Sequence, residues 1–490
     1  MSEVFSEKES VFFVGGTGYK NGHSLAGGCT KAWYDANFTE LTDIMDINGS
    51  PFILKSFVTF THSTKMLEKS GIGVGVTEGM VAYVEGDGIT PGRYEVTNVV
   101  NDDAIICIGI LSSFDNVDSD VNIGGAFDSL QLAITAVDAE DYNVWIYTNK
   151  DETLSAAIGV SFCGGTPELN TWLTIEGFNT AIGDMLPGGD YYQSPFNEHL
   201  YGIDADRKVV IDRDSGSNIL AFNSIENTMF RCLRFTNSST TIFTANSTCF
   251  NIIFKHSIFD DADTVCNATC NGFMFIDCYA EDFATTGNVI KLKGWGFLFD
   301  GCILNLSGEV QDGINSGLGG TNGDIRLKNC IILNGAEGIH TKLYAQVESC
   351  TFYNQAKTCI LVDGVAGTSL SLGYVTNSIL MPKLHTLPAF MVGNSVGLGG
   401  SIVNDYNCIF SVDGQALDKI ATNSSGTEIE LLFDENNILA NPLMVNPANG
   451  DYRLLPGSPC LNKGTRTIGD GYTTIGAWQK KQGSRRRWWQ

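Results

Sequence analysis

The chain of 490 residues is short of charge, and shorter still of positive charge. Only 17% of it is charged, with 30 Lys and Arg against 55 Asp and Glu, for a formal net charge of −25. That balance excludes a nucleic-acid-binding role, which needs a basic footprint against the phosphates. It argues equally against an anionic membrane surface. No run of 18 apolar residues occurs, so no membrane span is expected. The opening stretch 1–10 lacks the basic and apolar regions of a signal peptide, which predicts synthesis in a reducing cytosol. The 14 cysteines contain no CxxC pair, and the six histidines show no ligand spacing. Cys266 and Cys270 flank Asn-Ala-Thr with no histidine near. No disulfide framework, metal site or cofactor is therefore expected. Gly15-Gly-Thr-Gly18 lacks the Lys-Ser/Thr that would make it a phosphate loop.

What is present is a recurring six-residue phrase: apolar, any, turn residue, Cys or Ser, any, apolar. Copies stand at 230–235, 254–259, 275–280, 299–304, 327–332, 347–352, 375–380 and 405–410. The Cys or Ser falls at Cys232, Ser257, Cys278, Cys302, Cys330, Cys350, Ser378 and Cys408, in steps of 20 to 30 residues. Self-similarity at such a period signals a stacked repeat. Short β-rich units with Gly and Asn turns and no helical period point to a parallel β-solenoid, advancing about 4.8 Å per coil. Fold class is thereby all-β, a parallel β-solenoid. Function does not follow from it, because one scaffold hosts many activities.

Alternation along each phrase predicts an internal row of cysteines and an outward row of Leu233, Ile258, Tyr279, Ile303, Ile331, Thr351, Ile379 and Ile409. Seven of these eight are large and apolar, so the row must be covered. The cover is a long loop of the same chain or a neighbouring subunit; the subunit is the favoured expectation, which predicts a homo-oligomer, a trimer by preference. Ile303, Ile331, Ile379 and Ile409 are then subunit-interface residues.

Residues 1–122 do not share the repeat. Between 71 and 110 they alternate as three or four antiparallel strands of a small barrel or sandwich. Acidic Asp115–Asp120 reads as a linker. Residues 127–138 carry Phe127, Leu130, Ile134 and Val137 on one helical face, suited to capping the open end of a solenoid. The expected organisation is a β-rich domain over 1–122, a capped β-helix over 123–479 and a tail over 480–490. The tail inverts the charge with Lys480, Lys481, Arg485, Arg486 and Arg487 and ends in Trp488 and Trp489. Arg and Trp suit anchoring in a partner's pocket, so Arg485–Trp489 join the interface candidates.

The helix at 127–138, Val144-Trp-Ile-Tyr147, Thr153-Leu-Ser155 and Leu173-Thr-Ile-Glu-Gly177 follow one another in order. The far end carries Asn441-Pro-Leu443, Asp451-Tyr-Arg-Leu454, Gly457-Ser-Pro459 and Ile475-Gly-Ala477. Over about 125–480 this resembles the pectate-lyase-like right-handed parallel β-helix family. Residues 1–122, through 79–86 and Gly92-Arg-Tyr-Glu-Val96, resemble the small β-rich modules that precede β-helices in bacteriophage virion proteins. The resemblance implies a virion protein made in the host cytoplasm.

Glycan-cleaving members need paired carboxylates or a Ca²⁺ site. The densest acids are Asp260, Asp261 and Asp263, then Glu281 with Asp282, then Asp312. The partner phrases of the polygalacturonase-like hydrolases are incomplete: Gly338-Ile-His340 lacks its second glycine and Arg326-Leu-Lys328 its isoleucine. The expectation is a non-enzymatic spike, fibre or capsid decoration. It attaches to other virion proteins through 1–122, with bacterial surface polysaccharide as a further expected partner. Should it cleave glycan as a tailspike depolymerase, Asp260, Asp261 and Asp312 are the expected catalytic residues.

Overall fold

The computed structural model describes residues 9–14, most of 53–123, three residues between 130 and 134, 143–160 apart from 150, 172–179, and most of 183–477. They fall into two compact units, one of 1–152, 162–191 and 227–229, the other of 153–161, 192–226 and 230–490. The boundary expected at 122/123 lies inside the first unit.

That unit holds a closed antiparallel barrel, in order Ile53–Thr61, Met66–Glu68, Ala104–Cys107, Ile89–Asn101, Val81–Gly86 and Asn116–Ile123. Its core is built by period-two alternation and includes Val58, Phe60, Leu67, Val84, Val96, Ile105 and Val121. The acidic stretch expected as a linker is instead mostly the closing strand. It pairs with Ile53–Thr61 on one side and Val81–Gly86 on the other. Asp120 faces water while Ser119 and Val121 are buried. The unit also contains Glu9–Val14 paired in parallel with Asn143–Thr148, which pairs in turn with Leu173–Gly177. Of the expected capping helix, Leu130, Gln131 and Ile134 are described and helical; the rest lies outside the described residues.

The second unit is the right-handed parallel β-helix. Seven strands from Phe250–Lys255 to Ser401–Asp405 stack in one sheet, each hydrogen-bonded to its counterpart a coil later. A longer parallel sheet carries the strands that follow each turn. The register shows why the phrase recurs. Its first apolar position forms a column, Phe254, Phe275, Phe299, Leu327, Val347 and Val375. The rings stack inside the bore, Phe254 to Phe275 at 5.5 Å and Phe275 to Phe299 at 4.8 Å. Each such side chain contributes roughly 1.5–3 kcal/mol on burial.

The turn position is left-handed in every copy. Cys232, His256, Asp277, Gly301, Asn329, Ser349, Asn377 and Tyr406 have φ between 50° and 68°. A left-handed residue costs about 1–2 kcal/mol except in Gly, Asn and Asp, which explains the preference for those types. Two copies are thereby corrected by one residue. Cys232 sits in the turn row, and Leu233 takes the internal place, because Arg234 aligns with Ile258. In the last copy Ile379 aligns with Cys408 and Leu380 with Ile409. Asn407 therefore takes the internal place, Cys408 faces outward, and Ile409 points into the bore. Cys278, Cys302, Cys330 and Cys350 form the internal row as expected, fully buried.

The outward row is covered, but by the chain itself. Ile258, Tyr279, Ile303, Ile331 and Ile379 share one buried cluster with Met444, Tyr452, Cys460, Ile475 and Ala477. Phe196 of the short helix Pro195–Tyr201 packs against the same cluster. The C-terminal segment is pinned along the coils. Gly476 N donates to Asn377 O at 2.6 Å, Ala477 N to Thr351 Oγ1 at 3.0 Å, and Asn377 Nδ2 to Thr465 Oγ1 at 2.7 Å. Gly476 has φ +99°, and a Cβ there would lie 2.5 Å from Ile379 Cδ1, so only glycine lets the backbone lie on the row. Ile303, Ile331, Ile379 and Ile409, expected at an interface between subunits, are buried within the chain itself, so the apolar row gives no support to a trimer. Arg485, Arg486, Arg487, Trp488 and Trp489 lie outside the described residues. Among the described residues no helix is long and apolar enough to cross a membrane.

Candidate functional site

The three expected carboxylates part company in the structure. Asp260 lies outward just after the strand Ile258–Phe259 and is held by Arg234, whose Nε and Nη2 donate to its two oxygens at 3.1 and 2.6 Å. Burial raises its pKa and the Arg234 bonds offset part of that rise. With both oxygens engaged, it is a structural ion pair. Asp261 is a left-handed turn residue, φ 49°, whose carbonyl accepts from Ser238 N. Glu281, one coil on, accepts from the Tyr279 hydroxyl at 2.5 Å. Asp312 belongs to a different constellation.

Asp312 opens the strand Asp312–Asn315 and aligns with Glu337, which opens Glu337–Thr341 on the next coil. Asn315 aligns with His340. His340 Nε2 meets Asp363 Oδ2 at 3.0 Å, and His340 Nδ1 lies 3.3 Å from Glu337 Oε2. The Lys357 ammonium grips the other Glu337 oxygen. Burial works against charge on His340, but Asp363 and Glu337 outweigh it and lift its pKa to about 9. Burial, and then the neighbouring Glu337, push Asp312 up. The sequence offered Asp312 as a candidate and His340 only within an incomplete hydrolase phrase, and it did not connect the two. The Glu337-x-x-His340 spacing was the available signal, but on a regular strand three residues apart face opposite ways. A glycine at 338, packed under the backbone of the next coil, allows the close approach. A Cβ there would lie 2.6 Å from Cys359 O.

A third feature has no carboxylate. Where the C-terminal segment lies over the coils, a groove of ≈ 450 Å³ is lined by Asn305, Asn334, Asn354, Tyr353, Tyr452 and Asn449, among others. Asn354 Nδ2 donates to Asn334 Oδ1 at 2.7 Å, and Asn334 Nδ2 to Asn305 Oδ1 at 2.9 Å. Tyr452 packs between Tyr353, centroids 5.3 Å apart, and His199, at 5.8 Å. Burial raises both tyrosine pKa values and lowers that of His199, so all three are neutral near pH 7. An asparagine three or four residues after Cys302, Cys330 and Cys350 was the sequence signal for this ladder.

The helix beside the groove carries a buried acid. Glu198 is raised to about 7 by burial, and Lys208 at 3.7 Å offsets only part of that. Its folded pKa lies above its unfolded one, so its share of stability is intact at acid pH and is lost as pH rises through 7. A Glu198→Gln variant should therefore gain on the wild type between pH 5 and 8, by at most about 3 kcal/mol. Urea unfolding at several pH values measures this. Parallel stability curves would show that Glu198 ionises freely.

No protein-family model matches the chain, and no curated protein does. Distant likenesses exist among solved structures. One is the catalytic unit of an α-1,3-glucanase from Streptomyces thermodiastaticus, at 9% identity and TM-score 0.35, over 78% of this chain and 85% of that one. Pectate lyase Pel9A follows at 12% and 0.38, over 72% and 92%. The tailspike of Acinetobacter baumannii bacteriophage AP22, in complex with capsular saccharide, follows at 9% and 0.23, over 76% and 64%. Identities and scores this low leave function to be argued from this chain's own residues.

Proposed function

We propose that the protein is a surface protein of a bacteriophage virion, a spike, fibre or capsid decoration, whose β-helix binds bacterial surface saccharide without cleaving it. The groove carries this reading. A saccharide offers hydroxyls that donate and accept, alternating with apolar C–H faces. Asparagine amides match the first in both senses, and tyrosine rings with polar tips match the second. No carboxylate lines the groove among its described residues. Cleavage by the usual route needs two carboxyls within about 5–10 Å across the bond. The virion setting is supported by the likeness of 1–122 to particle-attachment modules and by the compact β-barrel within it. In this reading that domain joins the particle. A second reading, glycan cleavage, is favoured by the cluster of Asp312, Glu337 and Asp363 around His340.

The test is binding of labelled host capsule or lipopolysaccharide, with chain length followed by gel filtration. Binding with no shortening is expected. Asn354→Gly and Asn449→Ala should weaken it about tenfold or more with little change in melting temperature, since Asn449 is exposed and glycine keeps the left-handed φ of 69° at position 354. Shortening abolished by Asp312→Asn would replace the proposal with the enzyme. Absence of any binding would remove the saccharide from it.

A further inference from the structure

The geometry points to a binding site for one divalent transition cation, of the zinc or manganese class, formed by Asp312, Glu337 and His340 across two neighbouring coils. A carboxylate oxygen of each acid and a ring nitrogen of His340 all lie within 4.8 Å of one another. His340 Nδ1 and Glu337 Oε2 are 3.3 Å apart. Two ligands at about 2.0–2.2 Å from one metal stand roughly 3–3.5 Å apart, so this pair already has the spacing of ligands around one ion.

Two further observations point the same way. The Glu337 side chain is only 3% exposed, yet its Oε2 accepts no hydrogen bond with acceptable geometry among the described residues. Lys357 takes Oε1 alone, which leaves Oε2 aimed at Asp312 and His340. In the metal-free protein the imidazole of His340 supplies the positive charge beside Oε2, and a bound cation would take the place of that ring proton between the two carboxylates. The other observation is the far nitrogen of His340. It is held by Asp363 at 3.0 Å, the carboxylate–histidine arrangement that orients a metal-binding imidazole.

The donor set chooses the class of ion. Calcium takes six to eight oxygens, whereas one imidazole and two carboxylates suit a borderline transition ion with open positions for water. The ion would clip the coil of Asp312 to the coil of Glu337, and it would offset the repulsion between the two carboxylates. Glu337, His340 and their glycine are contiguous in sequence, but Asp312 and Asp363 come from the coils on either side. Only the coil register assembles the set.

The experiment uses the full chain, stripped with chelator and kept reduced. Zn²⁺, Mn²⁺ and Ca²⁺ are each titrated by calorimetry, and Co²⁺ is followed by its visible spectrum. One Zn²⁺ or Mn²⁺ per chain is expected, with a higher melting temperature and a Co²⁺ spectrum free of thiolate bands. Asp312→Asn and His340→Gln should each weaken binding at least tenfold, and Asp363→Asn about 10–100-fold, with the metal-free melting temperature held in Asp312→Asn and lowered in the two variants that break the ion pairs of His340. Should a variant misfold, the wild-type Co²⁺ spectrum still decides between imidazole–carboxylate and thiolate ligands. The proposal fails on any of three results: no saturable binding of Zn²⁺ or Mn²⁺, binding unchanged in folded Asp312→Asn, or preference for Ca²⁺.

Discussion

A chain ended after Asn437 should not remain a soluble, folded monomer. The lost segment contributes Met444, Tyr452, Cys460, Ile475 and Ala477 to the cluster over the coils. Without it, Ile303, Ile331 and Ile379 would pass from full burial to water. At roughly 1.5–3 kcal/mol each, those three alone cost on the order of 5 kcal/mol, comparable to the whole net stability of many domains. The exposed row would also be contiguous, and a contiguous apolar patch drives association. Light scattering and limited proteolysis of the shortened chain measure the effect. A monodisperse, protease-resistant product would show that the cover is dispensable. Gly476→Val is the finer probe, because it leaves the segment in place. It should loosen the cover through its left-handed φ and the clash with Ile379.

Cys330→Asp should cost several kcal/mol and lower the melting temperature by many degrees. The thiol lies in the internal row and donates weakly to Phe299 O at 3.4 Å and Lys328 O at 3.2 Å. Its neighbours in the row are Cys302 and Cys350, whose thiols burial pushes far up. A carboxylate there would lose its hydration and face two carbonyl oxygens. Cys330→Ser keeps size and donor, so it should cost far less. Calorimetric melting of the two variants side by side separates the charge from the lost sulfur. Equal melting of Cys330→Asp and wild type would place position 330 outside the core.

The solenoid was legible in the sequence because each coil repeats one local problem. A left-handed turn favours Gly, Asn or Asp, and the residues on either side of it alternate between bore and surface. Those constraints act within six residues and leave a periodic trace. At the ends of the run the trace misled by one residue. Cys232 stands third in its copy and Cys408 fourth in a copy that opens on Asp405, and hydrogen-bond register puts them in the turn row and the outward row. The barrel strands between 79 and 107 were legible for the same local reason. The strand Asn116–Ile123 was not, because its acids resembled a linker and its partners lie far off in sequence.

By itself, then, the sequence determined the coil: its period, its turn chemistry, its internal row and the need for something over Ile303, Ile331 and Ile379. Tertiary structure alone decided what that cover is. Residues more than 60 positions away in the chain return to lie on the row, and no local pattern encodes a contact at that distance. The same holds for the chemistry. Asp260 stood as a catalytic candidate only for a glycan-cleaving chain, and Arg234, one coil back, engages both its oxygens. Asp312 looked solitary until the register set it beside Glu337 and His340. A site made by stacking draws one or two residues from each coil, so its members become neighbours only when the coils are in register.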